Sequence, residues 1–218
     1  MDYINIRHAT EADIPFLVKT IIEAEKSGTE VLSYSSIFGV TEAETEDYLT
    51  QVLEEEIDGC ELSVSSFMVA ESDNQIVAAL SAWVEGSEGL ASSKLKGNLL
   101  SFVLPPQAIQ KAAKVSGLLN QVHIDYIDGT VQKGAGYVIE SFRKKGLLGR
   151  LTEEIFAYYK EKNPEIKIAH TQVFECNIPA LKANQKIGFE VVDSVECEDL
   201  TVLKYLPSNK KLLLKRQL

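Results

Sequence analysis

The first apolar pattern along the chain is short and strand-like. Tyr3, Ile4 and Ile6 mark a strand over residues 3–7. The period then changes. Ile14, Leu17, Val18, Ile21 and Ile22 recur at helical spacing, which predicts a helix to about Lys26. Ahead of it, Thr10 and Asp13 form a capping box with Asp in place of Glu. Residues 27–40 read as a loop. Thr41 and Glu44 repeat the capping pattern and open a charged helix to about Ile57. Apolar runs at 67–70 and 76–84 flank Ser72, Asp73 and Asn74, whose turn chemistry predicts a hairpin.

Residues 87–121 lack strand character. They predict two short helices separated by Pro105 and Pro106. Residues 122–127 alternate again, with Val122, Ile124 and Tyr126 on one face and His123 and Asp125 on the other. A turn-rich stretch follows at 128–136, then a strand at 137–140. Leu147, Leu151, Ile155 and Tyr159 form an amphipathic stripe, widened by Leu148 and Tyr158, on a helix ending near Asn163-Pro164. Residues 168–174 predict the next strand. Asn177 is an N-cap, Pro179 lies just inside a helix to Ile187, and Gly188 ends it. Strands at 189–195 and 211–215 close the chain, with 201–205 as a further candidate. This order predicts an α/β fold with a mixed sheet, in one domain over 1–218 carrying an insertion at about 87–121.

Composition sharpens the picture in three ways. Of 218 residues, 45% are hydrophobic and 25% charged, which suits a packed core. No apolar run approaches the ~20 residues of a membrane span, and the start has no signal-peptide core, so a soluble cytoplasmic protein without a membrane partner is expected. The net charge of −10 repels nucleic acid on average, although a local basic patch still suits a small anion. Cys60, Cys176 and Cys197 show no C-x-x-C spacing and are expected as buried reduced thiols, with no metal site. His8, His123 and His170 are scattered, without H-E-x-x-H, and no G-x-S-x-G elbow occurs.

One stretch carries candidate chemistry. Arg143, Lys144, Lys145 and Gly146 lie between a strand and a helix. Helix N-termini present unpaired N–H groups and partial positive charge, so such a turn can hold a phosphate. A plain strand-to-helix turn has the same composition. Neither G-x-x-x-x-G-K-[ST] nor G-x-G-x-x-G is present.

The wider pattern resembles the GNAT family of acyl-CoA-dependent N-acetyltransferases. Its loop motif [RQ]-x-x-G-x-[GA] is matched by Arg143-Lys144-Lys145-Gly146-Leu147-Leu148. Its downstream pattern is matched by Asn177, Ala180 and then Lys186-Ile187-Gly188-Phe189. The openings IRHATEADIPFL and FMVAESDNQIVAALSAWVEG are similar to its first strand and helix and its next two strands. The resemblance covers most of the chain outside the insertion. It implies a mixed, mostly antiparallel central sheet flanked by helices. It further implies acetyl-CoA as cosubstrate, with its pyrophosphate on the amides from Arg143 to Leu148. Its pantetheine would run along residues 137–140, including Val138 and Ile139, in a slot made by splaying between that strand and the one at 168–174, and its thiol end would lie beside Asn177 and Ala180. An amine would attack the thioester directly from the other side.

Two positions depart from the family pattern. Leu148 replaces a Gly or Ala. Asn184 stands five before Phe189, where the family often has the tyrosine that protonates the departing thiolate. An amide donates hydrogen bonds but is no general acid near neutrality. The general base is equally unassigned, because the fourth-strand region that supplies a glutamate in some members falls near Gln132. His123 with Asp125, Glu140 and an ordered water are the candidates, and a solvated strand face accounts for the first pair as well. A non-catalytic acyl-CoA sensor or degenerate binding module is the rival reading. The acceptor is an unidentified small-molecule or peptide amine. The insertion shapes either its site or a homodimer contact, and its cluster Leu99, Leu100, Phe102, Val103 and Leu104 reads as core or as interface.

Overall fold

A computed structural model describes residues 4–218. Seven strands form one sheet: β1 (Asn5–His8), β2 (Phe67–Ser72), β3 (Gln75–Val84), β4 (Val131–Val138), β5 (Ile168–Phe174), β6 (Glu190–Glu196) and β7 (Lys210–Gln217). Their spatial order is β1-β2-β3-β4-β5-β7-β6. Every neighbouring pair is antiparallel except β4 with β5. The helices are α1 (Ile14–Lys26), α2 (Ser33–Phe38), α3 (Glu42–Glu54), α4 (Ser92–Val103), α5 (Pro106–Leu119), α6 (Leu147–Lys162) and α7 (Ile178–Lys186). Among the described residues, no helix is long and apolar enough to cross a membrane. Tyr3, placed by the sequence pattern in the first strand, lies outside the described residues.

Two apolar clusters fill the two faces. On one, Leu17 and Ile21 of α1 and Leu49 and Val52 of α3 pack with Leu99, Leu100 and Leu104. The insertion's apolar cluster is therefore mostly core, and only Phe102 of it is exposed. On the other face, Leu147, Leu151 and Ile155 of α6 pack on Ala78, Leu80, Val131 and Leu214. The middle strands are thus covered on both faces, while β6 at the edge is largely exposed. That matters for any charged residue in those middle strands.

Most elements lie where the sequence pattern puts them. Four differ. Residues 122–127 form no strand. Val122 and Ile124 do turn inward, but the Ile124 carbonyl is bonded by the Gln172 side chain at 2.9 Å rather than by a ladder. The fourth strand starts at Val131, inside the stretch read as a turn, because its glycines hide the alternation. Residues 27–40 contain α2, held by ring contacts among Tyr34, Phe38 and Tyr48 rather than by helical spacing. Residues 201–205 coil into a 3-10 turn that the Asp199 carboxylate caps at the Thr201 N–H, 2.9 Å away.

Candidate active site

The parallel pair β4–β5 is short. It runs through Val131↔Ala169, Gln132↔His170 and Lys133↔Thr171 and then stops. Thr171 Oγ1 donates to the Lys133 carbonyl at 2.9 Å as the last tie. Beyond Lys133 the two strands splay, and a cavity of about 240 Å³ opens between them. On the other edge of β4 the register with β3 also slips, from Leu80↔Gly136 to Ala82↔Lys133. A bulge of this kind bends the strand away from its neighbour. Gly134 makes the bend possible, since a Cβ there would lie 2.6 Å from Ser81 Oγ and 2.8 Å from the Trp83 ring.

One mouth of the cavity faces the start of α6. The first helical bond is Arg150 N–H to the Gly146 carbonyl, so the N–H groups before it have no acceptor within the helix. Gly146 adopts φ 77°, a left-handed conformation that favours glycine. Among the described residues, no atom lies within 4 Å of where its Cβ would project. There is room for an anion at the helix start. Arg143, Lys144 and Lys145 are exposed around it. Arg143 Nε also donates to the Val138 carbonyl at 3.1 Å, which ties the loop to the end of β4. Leu148 turns toward the slot and packs on Gly136, its Cδ2 3.3 Å from where a Cβ would sit.

The other mouth faces α1 and α2. Glu25, Tyr34, Glu61, Trp83, Tyr126 and Lys211 line it. Glu61 forms an ion pair with Lys96 of the insertion and accepts from the Tyr126 hydroxyl at 2.7 Å. The Trp83 indole stands edge-on to Tyr126 at 5.1 Å and donates to Glu85 at 2.7 Å. Glu85 also accepts from the Ser92 N–H at 3.0 Å, at the first residue of α4. The insertion is thus pinned against the cavity wall. Burial pushes the Glu25 carboxyl up, and the Tyr34 and Tyr126 phenols well up. Burial lowers the Lys211 ammonium.

At the apex between the mouths lies Lys133. Its Nζ donates to Asn184 Oδ1 at 3.0 Å. Asn184 is buried, and its own NH₂ donates to the Ala180 carbonyl at 3.0 Å, which fixes the amide with its oxygen toward the lysine. No carboxylate among the described residues pairs with Lys133, and burial pulls it from 10.5 to about 8.

The residues read from the sequence divide accordingly. Leu148, Asn177, Ala180 and Asn184 line the cavity together. Asn177 caps α7 by accepting from the Ala180 N–H at 3.1 Å. Val138, Ile139 and residues 143–147 do not line it, although Gly136 and Leu148 on either side of them do. His123, Asp125 and Glu140 do not line it. His123 Nε2 and Asp125 Oδ1 lie 3.2 Å apart in solvent, because the inward turns of this segment are taken by Val122, Ile124 and Tyr126. Glu140 is exposed in a 3-10 turn. Cys176 is exposed rather than buried, since it sits on the loop between β5 and α7; Cys60 and Cys197 are buried. Sequence reading missed Lys133, Glu25, Glu61 and Lys211. Lys133 had a usable signal, being a lone cation in a strand between the buried Gln132 and a glycine.

No protein-family model and no curated protein sequence matches the chain. Solved structures do. An N-acetyltransferase from Staphylococcus aureus Mu50 aligns with TM-score 0.65 at 13% identity, covering 97% of this chain and 99% of that one. A polyamine N-acetyltransferase of Drosophila melanogaster, which forms N-acetylagmatine, aligns with TM-score 0.57 at 14% identity, covering 99% and 100%. A PaiA N-acetyltransferase from Thermoplasma acidophilum, in complex with coenzyme A, aligns with TM-score 0.53 at 14% identity, covering 99% of both chains.

The chain has the GNAT fold. The splay between β4 and β5 and the helix start at Gly146 are the parts of that fold that meet in the cavity. Asn184 and Leu148 are where this GNAT scaffold departs from the family motif, and both face the slot.

Proposed function

We propose that the chain moves an acetyl group from acetyl-CoA to a primary amine by direct attack. The observation that carries this reading is the through-going slot. A helix start whose first N–H groups lack a helical acceptor opens on one side of the sheet, and a chamber lined by carboxylates and aromatic rings opens on the other. Acetyl-CoA supplies the acyl group and a thiolate leaving group. The amides around Gly146–Gly149 would hold its phosphates, and the edge of β4 freed beyond Lys133 would take its pantetheine as an added strand. Asn177 and Ala180 would flank its thiol end. The acceptor would enter past Glu25, Glu61 and Tyr126. Carboxylates and aromatic faces suit an ammonium, and acetylation of agmatine by a protein of the same fold supports a small amine.

The test pairs calorimetry with a thiol assay. Acetyl-CoA is expected to bind the protein, and Arg143→Ala/Lys145→Ala is expected to weaken binding severalfold. CoA release is expected with at least one member of a panel of monoamines, agmatine, polyamines and amino acids. Absence of binding at millimolar ligand would overturn the reading. Binding without release for any amine favours the rival, a non-catalytic acyl-CoA-binding module, for which Asn184 in the tyrosine's place and Leu148 narrowing the slot are the supporting observations.

A further inference from the structure

We propose that Lys133 is the proton carrier of the transfer, delivering a proton to the departing thiolate, and that Asn184 is its positioning residue. This rests on the acetyl-transfer reading above. Four observations carry it. Lys133 is the last residue of β4 paired with β5 before the splay, so its side chain stands where the two mouths of the slot meet. Its Nζ has one acceptor among the described residues, Asn184 Oδ1, which leaves two of its three protons without a protein partner. Asn184 is held by Ala180 so that it can only accept from the lysine. Asn184 also occupies the position of the family's tyrosine, so the amide anchors a donor instead of being one.

The chemistry balances. The acceptor, entering as an ammonium, first loses one proton to water; the neutral nitrogen then forms the N–C bond, and the C–S bond breaks with its electron pair on sulfur. Lys133 gives that sulfur a proton and becomes the neutral amine. It then takes a proton from the newly acylated nitrogen, which restores the ammonium. A simple thiol titrates near ~8.5. A donor held at about 8 therefore passes its proton with little driving-force penalty. An ordinary lysine would be too weak an acid to match. The titratable groups that line the same cavity are Glu25 on α1, Tyr34 on α2, Glu61, Tyr126 and Lys211 on β7, and none forms an ion pair with Lys133.

The experiment has a readout independent of turnover. In protein carrying ¹³C-labelled lysine, the Lys133 resonance, assigned by its loss in Lys133→Met, is followed across pH. It is expected to titrate near 8. In the thiol assay, Lys133→Met is expected to lower kcat on the order of 100-fold or more, with acetyl-CoA affinity within about twofold of wild type. The alkaline fall of kcat near 8 should vanish with it. Asn184→Asp supplies a carboxylate, so the Lys133 titration and the alkaline limb should move up together. An ordinary lysine titration, or Lys133→Met keeping kcat within about threefold, would overturn the proposal. If Lys133→Met does not fold, the wild-type titration decides, with assignment passing to Lys133→Arg. Stable acetylation of Lys133 in mass spectrometry would also overturn it, since the amine would then be a nucleophile. A wild-type protein that turns over while Lys133 titrates as an ordinary lysine sinks only this inference. A wild-type protein that binds no acetyl-CoA sinks the acetyl-transfer reading itself, and the proton role with it.

Discussion

Two corners beside one cavity treat a lysine in opposite ways: Lys96 pairs with the lining Glu61, and Lys133 lines the cavity itself. At the insertion corner, burial pulls Lys96 down, but the Glu61 carboxylate and the Tyr126 phenol outweigh it and hold the ammonium above the ordinary range. At the sheet apex, burial acts on Lys133 without a carboxylate to oppose it, and the ammonium falls to about 8. Burial alone does not make a lysine reactive. The partner decides, and an amide oxygen offers direction with little compensating charge. The first corner is built for holding the insertion in place, the second for releasing a proton.

The largest effect should come from breaking the insertion corner. Glu61→Gln leaves Lys96 partly buried beside a neutral amide. Loss of one partner from such a pair costs about 3 kcal/mol. Urea denaturation should show a lower midpoint with an unchanged slope. A cost below about 1 kcal/mol would mean that Lys96 escapes to solvent, and that the corner is looser than its geometry.

Next comes a change that turns one corner into the other. Asn184→Asp gives Lys133 the kind of partner that Lys96 has. An adjacent opposite charge raises a lysine by about 1–3 pH units. Lys133 should return toward its ordinary 10.5 or above, as read by lysine NMR. A titration that stays near 8 would show that desolvation at the apex overwhelms any single charge.

A smaller effect, of opposite sign to the first, follows from removing the apex lysine. Lys133 sits at about 8 in the folded chain against an ordinary 10.5. Between those values the unfolded chain holds more protons, so wild-type stability should rise with pH from about 8 to 10.5. Below 8 the full cost of burying the ammonium is present. That cost is roughly 3 kcal/mol, of which the orphaned Asn184 oxygen returns about 1–2 in Lys133→Met. The variant should therefore be more stable by about 1–2 kcal/mol at pH 7, and the advantage should be gone above pH ~11. Thermal melts across that range check both the sign and the window. A merely structural lysine would give a loss at pH 7.

The same contrast explains what could be read from the sequence. Periodicity and caps placed α1, α3, α6 and α7, because Ile14, Leu151 or Asn177 declare their roles through local spacing. The turn at residues 143–146 into α6 was legible for the same reason. The splay between β4 and β5 came only with the family resemblance and from no local spacing, since it depends on where β4 stops pairing with β5, a contact between residues far apart in sequence. Gly134 and Gly136 masked β4 as a turn, although they are there because Ser81, Trp83, Leu80 and Leu148 crowd the strand. Alternation did sort Tyr126 from His123 and Asp125 correctly. It did not say which face was inside, and the catalytic candidates were placed on the solvated one. Lys96, Glu61 and Glu25 come from three separate segments, so no local spacing links them.

The smallest expected effect concerns a third lysine, which tests whether the contrast is graded. Lys211 lies over the Phe174 ring, its Nζ 4.9 Å from the centroid, and burial lowers it while Glu25 raises it in part. An aromatic face offers a cation less than a carboxylate does, about 0.5–1 kcal/mol where solvent is near. Phe174→Leu keeps an apolar side chain on the cavity wall and removes the quadrupole. Lys211 should then titrate lower still, with stability falling by about 1 kcal/mol. If Lys211 does not move, the ring contributes only packing, and Glu25 is what keeps this ammonium charged. In that case the carboxylates alone set the order of the three lysines, and Lys133 stands apart because no carboxylate pairs with it at the apex.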